Sequence, residues 1–541
     1  MKYTCLCISL FFSIPVGLCH ADTKAGAIKD AEFVIEKQKK NTVNQEQRLF
    51  FKAPMRTAKS LNKPLATVKT LMLEDIVFDP AAEMYLPFRL EAQGNTFSYN
   101  HYCRLGIGSL LLPYLEIALD NYPFGKAIWS TNLAFVPALW NKKSTEASIA
   151  LQGKFGVGSW LLQPALSYQH AWHKYSDTTA HTCRLHQGKG NLLVKQATES
   201  STQDGQVRLG LLNYHDKKIN EQLLILTYRW RKQLDNWSVK VTSYNDIADY
   251  TNDKTQQARL IFSATPSVYL TLPKAIQFKT GLRMAYHNDP IPGKIPSFDL
   301  YPMFKVSCGV ATWFAPYIGI KGMGVGGSVV PLHLQDIVAK NPFIASNEKL
   351  SHRYQYFKLY GGSKAVVAPH LACHLRIVYR QLKHQYRVVA GPDQQISLKY
   401  NPGDCNVLKA TGLVDYSIPN TLLHTTIKGS YCRYMDNGPE PIWWYHKPRY
   451  KLKQTLTYRL HEKVLLNGKL HLHGPTIIKD IEGIATELRR VIHLSLGIDY
   501  LISERFTAFL MVNNLLNRKH MAYTGYPDKK INFTGGLQYR W

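Results

Sequence analysis

Apolar and polar residues alternate along the chain from about Tyr102 onward, in short segments separated by Gly, Asn, Asp, Pro and Lys. A period of two puts successive side chains on opposite faces of a β-strand, so the pattern predicts strands joined by turns. Segments 223–230 and 237–242 flank the residues Gln-Leu-Asp-Asn at 233–236 and are predicted to form a hairpin. The other segments with clear alternation are 370–380, 451–460, 466–473 and 492–500.

The last eleven residues, 531–541, form the most regular of these segments. One face is apolar and the other carries Asn, Thr, Gly, Gln and Arg. The residues on the apolar face are Phe533, Gly535, Leu537, Tyr539 and Trp541. This pattern suits the closing strand of a membrane barrel, whose outer face meets hydrocarbon and whose terminal ring lies among interfacial aromatics. A half-buried strand at the end of a soluble sheet would show the same alternation.

The N-terminal residues predict export. Met1 and Lys2 precede an apolar run from Tyr3 to Leu18, and Cys19-His20-Ala21 follows before the polar Asp22. This order is typical of a signal peptide, here residues 1–21 with cleavage after Ala21. The apolar run is short for a membrane-spanning helix and contains Pro15.

Composition and length then favour a wide barrel. After the signal no apolar run is long enough for a spanning helix, so strands must cross any membrane, and they must close on themselves. Aromatic residues make up 12% of the 541 residues, as expected where two aromatic girdles ring a barrel. About 440 residues at about 20 per strand and turn give roughly 22 strands. The sequence therefore predicts an all-β transmembrane antiparallel β-barrel over 101–541, preceded by a short charged periplasmic or luminal lead-in over 22–100.

The final segment resembles the closing strands of TonB-dependent outer-membrane receptors. In that family an Asn-Leu-Leu/Phe-Asn/Asp turn precedes a Gly-Tyr-Pro or Glu-Pro element and a final strand that ends on an aromatic residue. The matching residues here are Asn513, Asn514, Leu515, Leu516, Asn517, Gly525, Tyr526, Pro527 and Trp541. The family's usual Gly-Arg before the last strand is replaced by Lys529-Lys530. The resemblance is specific over about 486–541 and diffuse over the rest of the barrel.

The lead-in departs from that family. A ligand-importing member carries an N-terminal plug of roughly a hundred or more residues, preceded by a short TonB-contacting box. Residues 22–100 show neither a plug-like strand pattern nor a recognisable box, and their charged start at 31–40 is similar to that of a plug-less group of such barrels. We therefore expect a plug-less barrel, in which contact with a TonB-type energising protein is doubtful.

The resemblance implies a location and partners. The protein is expected in the cell outer membrane after signal-peptide cleavage, surrounded by outer-membrane lipid. The barrel-assembly machinery is expected to contact its C-terminal strand. The formal net charge of +28 predicts an anionic partner surface or solute, and an exported barrel makes nucleic acid the weaker explanation.

A candidate anion site follows from the polar faces of 451–460 and 466–473. Neighbouring strands would bring their basic residues into one luminal patch that attracts phosphate or carboxylate groups. The residues of this candidate patch are Lys451, Lys453, Arg459, Lys469, His471 and His473. A chain this basic carries Lys on many polar faces, so ordinary lumen polarity is the alternative interpretation.

Other chemistries find less support in the sequence. His471 and His473 share a face, but the spacing fixes no third metal ligand, and His370 and His374 lie about 13 Å apart along a strand. The sequence contains no Gly-x-Ser-x-Gly elbow, and the six cysteines after the signal include no Cys-x-x-Cys pair. We expect no enzyme activity, no cofactor and no metal site.

Two functions remain open from the sequence. The first is a channel or transport-related protein with a basic lumen. The second is a structural or interaction barrel that anchors a periplasmic segment or presents surface loops to partners. Access to the lumen distinguishes the two hypotheses.

Overall fold

A computed structural model of the chain contains one large antiparallel sheet closed into a barrel of 22 strands. The predicted signal peptide at 1–21 and the predicted lead-in at 22–100 lie outside the described residues. The structure describes residues 101–109, 113–124, 127–137, 145–174, 182–198, 200–272, 276–288, 298–309, 313–322, 328–338, 350–368, 370–390, 396–400, 403–418, 423–436, 448–479, 485–488, 490–518, 521–523, 526–527 and 531–541.

The strands follow one another around the barrel in chain order, and each barrel strand pairs with the next. Their bounds are β1 (His101–Gly108), β2 (Pro113–Phe124), β3 (Ala127–Pro137), β4 (Thr145–Val157), β5 (Trp160–Lys174), β6 (Thr182–Ala197), β7 (Ser201–Tyr214), β8 (Ile219–Leu234), β9 (Trp237–Thr251), β10 (Gln256–Leu272), β11 (Ile276–His287), β12 (Phe298–Cys308), β13 (Phe314–Lys321), β14 (Ser328–Val330), β15 (Arg353–Ala368), β16 (Leu371–Lys383), β17 (Tyr386–Ala390), β18 (Ile396–Tyr400), β19 (Asp404–Ile418), β20 (Leu423–Asp436), β21 (Tyr450–His461), β22 (Val464–His473), β23 (Thr476–Lys479), β24 (Ala485–Leu488), β25 (Val491–Leu501), β26 (Phe506–Asn513), β27 (Met521–Tyr523), β28 (Tyr526–Pro527) and β29 (Asn532–Arg540).

Seven of these strands lie outside the barrel wall proper. The pairs β17–β18, β23–β24 and β27–β28 are separate hairpins, and β14 adds to β15 within the connection from β13. The wall closes where β1 pairs with β29, in a register that sets Arg104 opposite Gln538 and Gly106 opposite Gly536. The predicted strand number and the predicted hairpin of β8 and β9 are both confirmed.

The two ends of the barrel differ in their connections. At one end, here called the turn end, Gly158 and Ser159 join β4 to β5, and Asp235 and Asn236 join β8 to β9. At the other end, the loop end, most connections are longer, and residues 322–352 join β13 to β15. Outer-membrane barrels have the same asymmetry, with short periplasmic turns and longer extracellular loops.

The outer face is apolar and exposed, as the alternation predicted. On β5, Leu166 is 61% exposed while its neighbour Ser167 faces the lumen, and on β16 Leu375 and Ile377 are about half exposed. The predicted apolar face of the closing strand also points outward, with Phe533 and Leu537 exposed. In water such a surface would be unfavourable, whereas in a bilayer it contacts hydrocarbon.

The largest buried cluster lies inside the barrel near the loop end. The connection from β13 folds inward there and forms a short helix, α1 (Leu334–Val338). The buried residues of this cluster are Ala171, Leu185, Leu212, Tyr214, Ile219, Tyr250, Leu332, Leu334, Ile337, Val338, Leu350 and Leu398. The wall contributes inward-facing side chains of β5 to β9, and the inserted connection covers them. None of the helices among the described residues is long and apolar enough to cross a membrane.

The assignment of faces predicts how two adjacent substitutions differ. Leu166→Arg puts a charge on the outer face and is expected to destabilise the folded barrel by about 2–4 kcal/mol if the position lies near the bilayer midplane. Ser167→Arg puts the same charge into the lumen and is expected to have little effect. Urea titration in lipid vesicles, followed by tryptophan fluorescence, measures the difference. Equal losses for both variants would contradict the assignment of the faces.

Candidate functional site

The polar faces of β21 and β22 point into the lumen and bring most of the candidate patch together. Lys451 is opposite His473, and Lys453 is opposite His471, in the antiparallel register of the two strands. Lys469 lies two residues along from His471 on the same face. Opposite side chains in such a pair have Cβ atoms about 4.5–5.5 Å apart. These five residues therefore form one compact basic group.

The neighbouring strands extend this group on both sides. Lys428 of β20 is opposite Lys453, and His493 of β25 is opposite His471. One row across four strands thus reads Lys428, Lys453, His471 and His493. We use the name basic patch for this row together with Lys451, Lys469 and His473. Seven basic side chains therefore share this part of the luminal face.

Arg459 faces the lumen but lies apart from the basic patch. It is six residues from Lys453 along β21, which corresponds to about 20 Å. Its register partner is Leu465, beside the turn between β21 and β22. The structure therefore places Arg459 near the turn end.

No metal-binding group is found among the described residues, where clusters of three or more His, Cys, Asp or Glu were sought. His471, His473 and His493 are close in the register, but Lys453 and Lys469 share their face. A divalent cation would be repelled by these ammonium groups.

A second group of polar residues holds the barrel closed. The guanidinium of Arg104 on β1 donates to Gln538 Oε1 on β29, from Nη2 at 2.7 Å and from Nε at 3.1 Å. The same Nη2 lies 3.6 Å from Asp499 Oδ1 on β25, and the guanidinium carbon stacks 4.6 Å from the ring centroid of Phe509. Arg104 thereby links three strands across the closure, and it is 3% exposed.

Carboxylate contacts continue this group along β1 and β2. The hydroxyl of Tyr102 donates to Glu116 Oε1 at 2.8 Å, and the hydroxyl of Tyr114 donates to Glu116 Oε2 at 2.7 Å. Gly106 and Gly536 are opposite each other at the closure, and a Cβ at Gly106 would lie 2.9 Å from the ring of Phe509. Gly106 leaves room for that ring, and Gly536 lets the backbones of β1 and β29 approach closely, because a Cβ there would clash with the carbonyl oxygen of Leu105.

The closing motif proves to be a structural turn at the loop end. Asn514 and Asn517 both have φ of +49°, a conformation that Asn tolerates better than most residues. The side chain of Asn514 donates to the carbonyl of Arg518 at 2.9 Å, and Asn517 Oδ1 accepts from the N–H of Ile531 at 3.1 Å. These contacts fix the connection between β26 and β29 at both ends. Leu515 and Leu516 are exposed, and Gly525 lies outside the described residues.

The turn-end terminus of β29 carries an aromatic stack. Trp541 stacks on Tyr539 with ring centroids 5.7 Å apart and an interplanar angle of 16°. Tyr539 in turn contacts Phe506 of β26 at 4.9 Å. Amphipathic rings in this position suit the boundary between hydrocarbon and water.

The sequence analysis did not recognise Lys428 and His493 as members of the basic patch, although each lies in a segment in which polar and apolar residues alternate. The missing information was the register, since a shift of one residue moves a side chain to the other face. It also missed Arg104 and Asp499, which are 395 positions apart in sequence and meet only because the barrel closes.

Comparison with known proteins identifies the fold through structure and not through sequence. No family model matches the chain, and no curated protein matches it in sequence. Solved structures do match. The FrpB iron transporter from Neisseria meningitidis, in its apoprotein form, is 10% identical with a TM-score of 0.61, over 82% of this chain and 81% of that chain.

Two further structures agree. The ferric-catecholate import receptor Fiu from Escherichia coli, in a closed form, is 10% identical with a TM-score of 0.60, over 82% of each chain. The copper transporter OprC is 10% identical with a TM-score of 0.58, over 82% of this chain and 80% of that one. These neighbours are barrels of TonB-dependent outer-membrane receptors, so the resemblance inferred from the closing strands is confirmed at the level of the fold.

The closure contacts predict a strong effect of Arg104→Ala. The substitution leaves Asp499 and Gln538 without the guanidinium, and loss of one partner of a buried charge pair costs about 3–5 kcal/mol. The temperature at which the folded barrel converts to the slower-migrating unfolded band on a gel should fall clearly. Arg184→Ala is the control, because Arg184 pairs with Asp216 at 3.2 Å with half of its side chain exposed, and such pairs contribute about 0–1 kcal/mol. Equal shifts for the two variants would contradict the role assigned to Arg104.

Proposed function

We propose that the protein is a transport-related barrel of the outer membrane whose lumen favours anionic solutes. The observation that carries this proposal is the row of Lys428, Lys453, His471 and His493 across four strands, with Lys451, Lys469 and His473 beside it. An apolar outer face and short turns at one end support the membrane location.

Electrostatics explains why such a row would select anions. Two unit charges about 5 Å apart repel by about 3 kcal/mol at an effective dielectric constant of 20. A fold that collects ammonium groups on one wall carries this cost until an anion relieves it. A permeating phosphate or carboxylate would gain the same interaction with the opposite sign, whereas a cation would be excluded.

The fold neighbours support transport as the general class. Their names describe an iron transporter, a ferric-catecholate import receptor and a copper transporter. We infer transport as the general class and propose no specific solute. At about 10% identity the barrel fold is shared, but the residues that line the lumen can differ.

We further propose that residues 22–100 form a lead-in without a plug domain, so that solutes move down their gradient. The support is the sequence itself, which shows neither a strand pattern typical of a plug nor a TonB-contacting box in this stretch. Under this proposal the wall of the receptor is kept and energy coupling is lost.

Single-channel recording in a planar bilayer tests the proposal. With a salt gradient across the membrane, the reversal potential should show preference for chloride over potassium. Lys451→Glu combined with Lys453→Glu should lower the ratio of anion to cation permeability roughly tenfold, the factor that about 1.4 kcal/mol represents. The expected reason is that two attractive charges become repulsive at the same place.

A matched control uses two lysines at loop-end turns. Lys218→Glu combined with Lys254→Glu makes the same change in charge at exposed positions next to β8 and β10. This variant should keep the selectivity of the unmodified protein. A barrel that conducts nothing in the bilayer, or an unchanged selectivity in the patch variant, would overturn the proposal and favour a structural or interaction role.

A further inference from the structure

The connection from β13 to β15 carries a segment that packs onto the luminal wall. We call residues 331–338, which include α1, the luminal insert. Its apolar side chains are almost completely buried, with Leu334 at 0% and Ile337 at 2% exposure. They contact inward-facing residues at the loop end of the wall, including Leu212, Tyr214 and Tyr250. The insert therefore occupies the lumen in front of β6 to β9.

A buried ion pair anchors the insert to the wall. The carboxylate of Glu221 on β8 accepts from the N–H of Leu334 at 2.7 Å and from the N–H of Gln335 at 3.0 Å. Arg259 on β10 donates to the same carboxylate at 3.2 Å and to the carbonyl of Leu332 at 2.5 Å. One wall carboxylate and one wall guanidinium thus satisfy the backbone of the insert at the start of its helix.

A second charged contact lies beside the first. His333 Nε2 of the insert is 3.1 Å from Asp246 Oδ2 on β9. The pKa of His333 is raised above its ordinary value. Burial and the charge of Arg259 lower this pKa, but the contact with Asp246 and the charge of Glu221 raise it by more. We use the name latch for Glu221, Arg259, Asp246 and His333.

The wall also provides a recess for the insert. Gln335 lies over Gly210 of β7, where a Cβ would meet the side-chain amide of Gln335, with its Cδ at 3.1 Å. Gln187 of β6 donates to Gln335 Oε1 at 3.2 Å. A side chain at position 210 would force the amide of Gln335 to move, and a large one would press against the insert.

The insert depends on these wall contacts for its conformation. A helix of five residues is too short to be stable by itself in water, so α1 is held by the wall that it covers. The strands behind it are held by their own ladders and by β1–β29 closure. Loss of the latch would therefore release the insert and leave the barrel wall intact.

We propose that the luminal insert is a gate over the loop-end mouth of the barrel, held in place by the latch, and that its release widens the passage to the basic patch. This inference rests on the proposed function for the importance of the passage. It concerns a different wall of the barrel, since the latch is on β8 to β10 and the basic patch is on β20 to β25.

Two measurements on the full-length protein test the gate. Maleimide labelling of Ile337→Cys, located by peptide mapping, reports whether the insert leaves the wall. Uptake of the neutral trisaccharide raffinose into vesicles containing the barrel reports the width of the passage. In the Ile337→Cys protein, adding Glu221→Gln should raise the labelling rate roughly tenfold, because the latch loses its carboxylate. Glu221→Gln alone should raise raffinose uptake severalfold.

A second variant is designed to release the insert from the wall without changing the charge of the latch. Gly210→Leu fills the recess under Gln335 and should displace the insert, with similar increases in labelling and uptake. Asp204→Asn is the control, because Asp204 pairs with Arg229 at 3.4 Å near the turn end, away from the insert. It should change neither readout. The heat-dependent gel shift confirms for each variant that the barrel is closed.

The outcomes separate this inference from the proposed function. Increased labelling without increased raffinose uptake would overturn the gate, and unchanged labelling in both variants would overturn the latch. Raffinose carries no charge, so its uptake is independent of anion selectivity. A barrel that lacks anion preference but admits more raffinose after Glu221→Gln would support the gate and contradict the proposed function.

The latch also predicts a pH dependence. The raised pKa of His333 means that its protonated form stabilises the closed insert. This contribution is complete below the ordinary value of about 6.5 and is lost as the pH rises through the raised value. Labelling of Ile337→Cys, corrected for thiol reactivity with a peptide standard, should therefore increase as the pH rises above about 6.5. His333→Gln should remove this increase, and an unchanged profile in that variant would contradict the assignment.

Discussion

The requirement that every backbone group in a membrane be hydrogen-bonded governs this structure. Lipid offers no partner for an exposed strand edge, so a sheet can cross a bilayer only when its first and last strands pair. Here that pairing is between β1 and β29, and Arg104 reinforces it through Gln538 and Asp499. Gly106 lets the ring of Phe509 lie against the closure, and Gly536 lets the two strand backbones approach each other. The remaining 20 strands of the wall depend on this seam, because without it both edges would be open.

Closure also decides where the charge of the chain goes. Once one face of every strand meets hydrocarbon, the alternate residues must face the lumen, and the lumen receives the charged side chains of the wall. With 66 Lys and Arg against 38 Asp and Glu in the chain, we propose that this sorting gives the lumen an excess of positive charge. The basic patch is the place where several such residues fall in one register row. Under the proposed function, anion selectivity of the patch would be a consequence of strand parity combined with composition.

The alternation along the chain was enough to predict the fold class, the strand number and the outward face of β29, because these properties depend on local pattern and length. It was also enough to place Lys451, Lys453, Lys469, His471 and His473 on the lumen side of two adjacent strands. The register between strands is set by turns and by packing across the sheet, so Lys428 and His493 were not recognised as neighbours.

The local sequence pattern could not predict contacts between segments that are distant in sequence, because it does not show which segments meet in the fold. Glu221, Arg259 and His333 come from two strands and a long connection, and each looks like an ordinary polar residue in its own segment. Their meeting depends on the inward position of residues 331–338, which no period in the sequence encodes. Because the insert covers the wall at β6 to β9 and the basic patch lies on β20 to β25, the two features occupy different sides of the lumen. Under the two proposals, the insert narrows the path of a solute from the loop end on one side of the lumen, and the basic patch directs the solute by its charge on the other side. Removing either effect leaves the other in place.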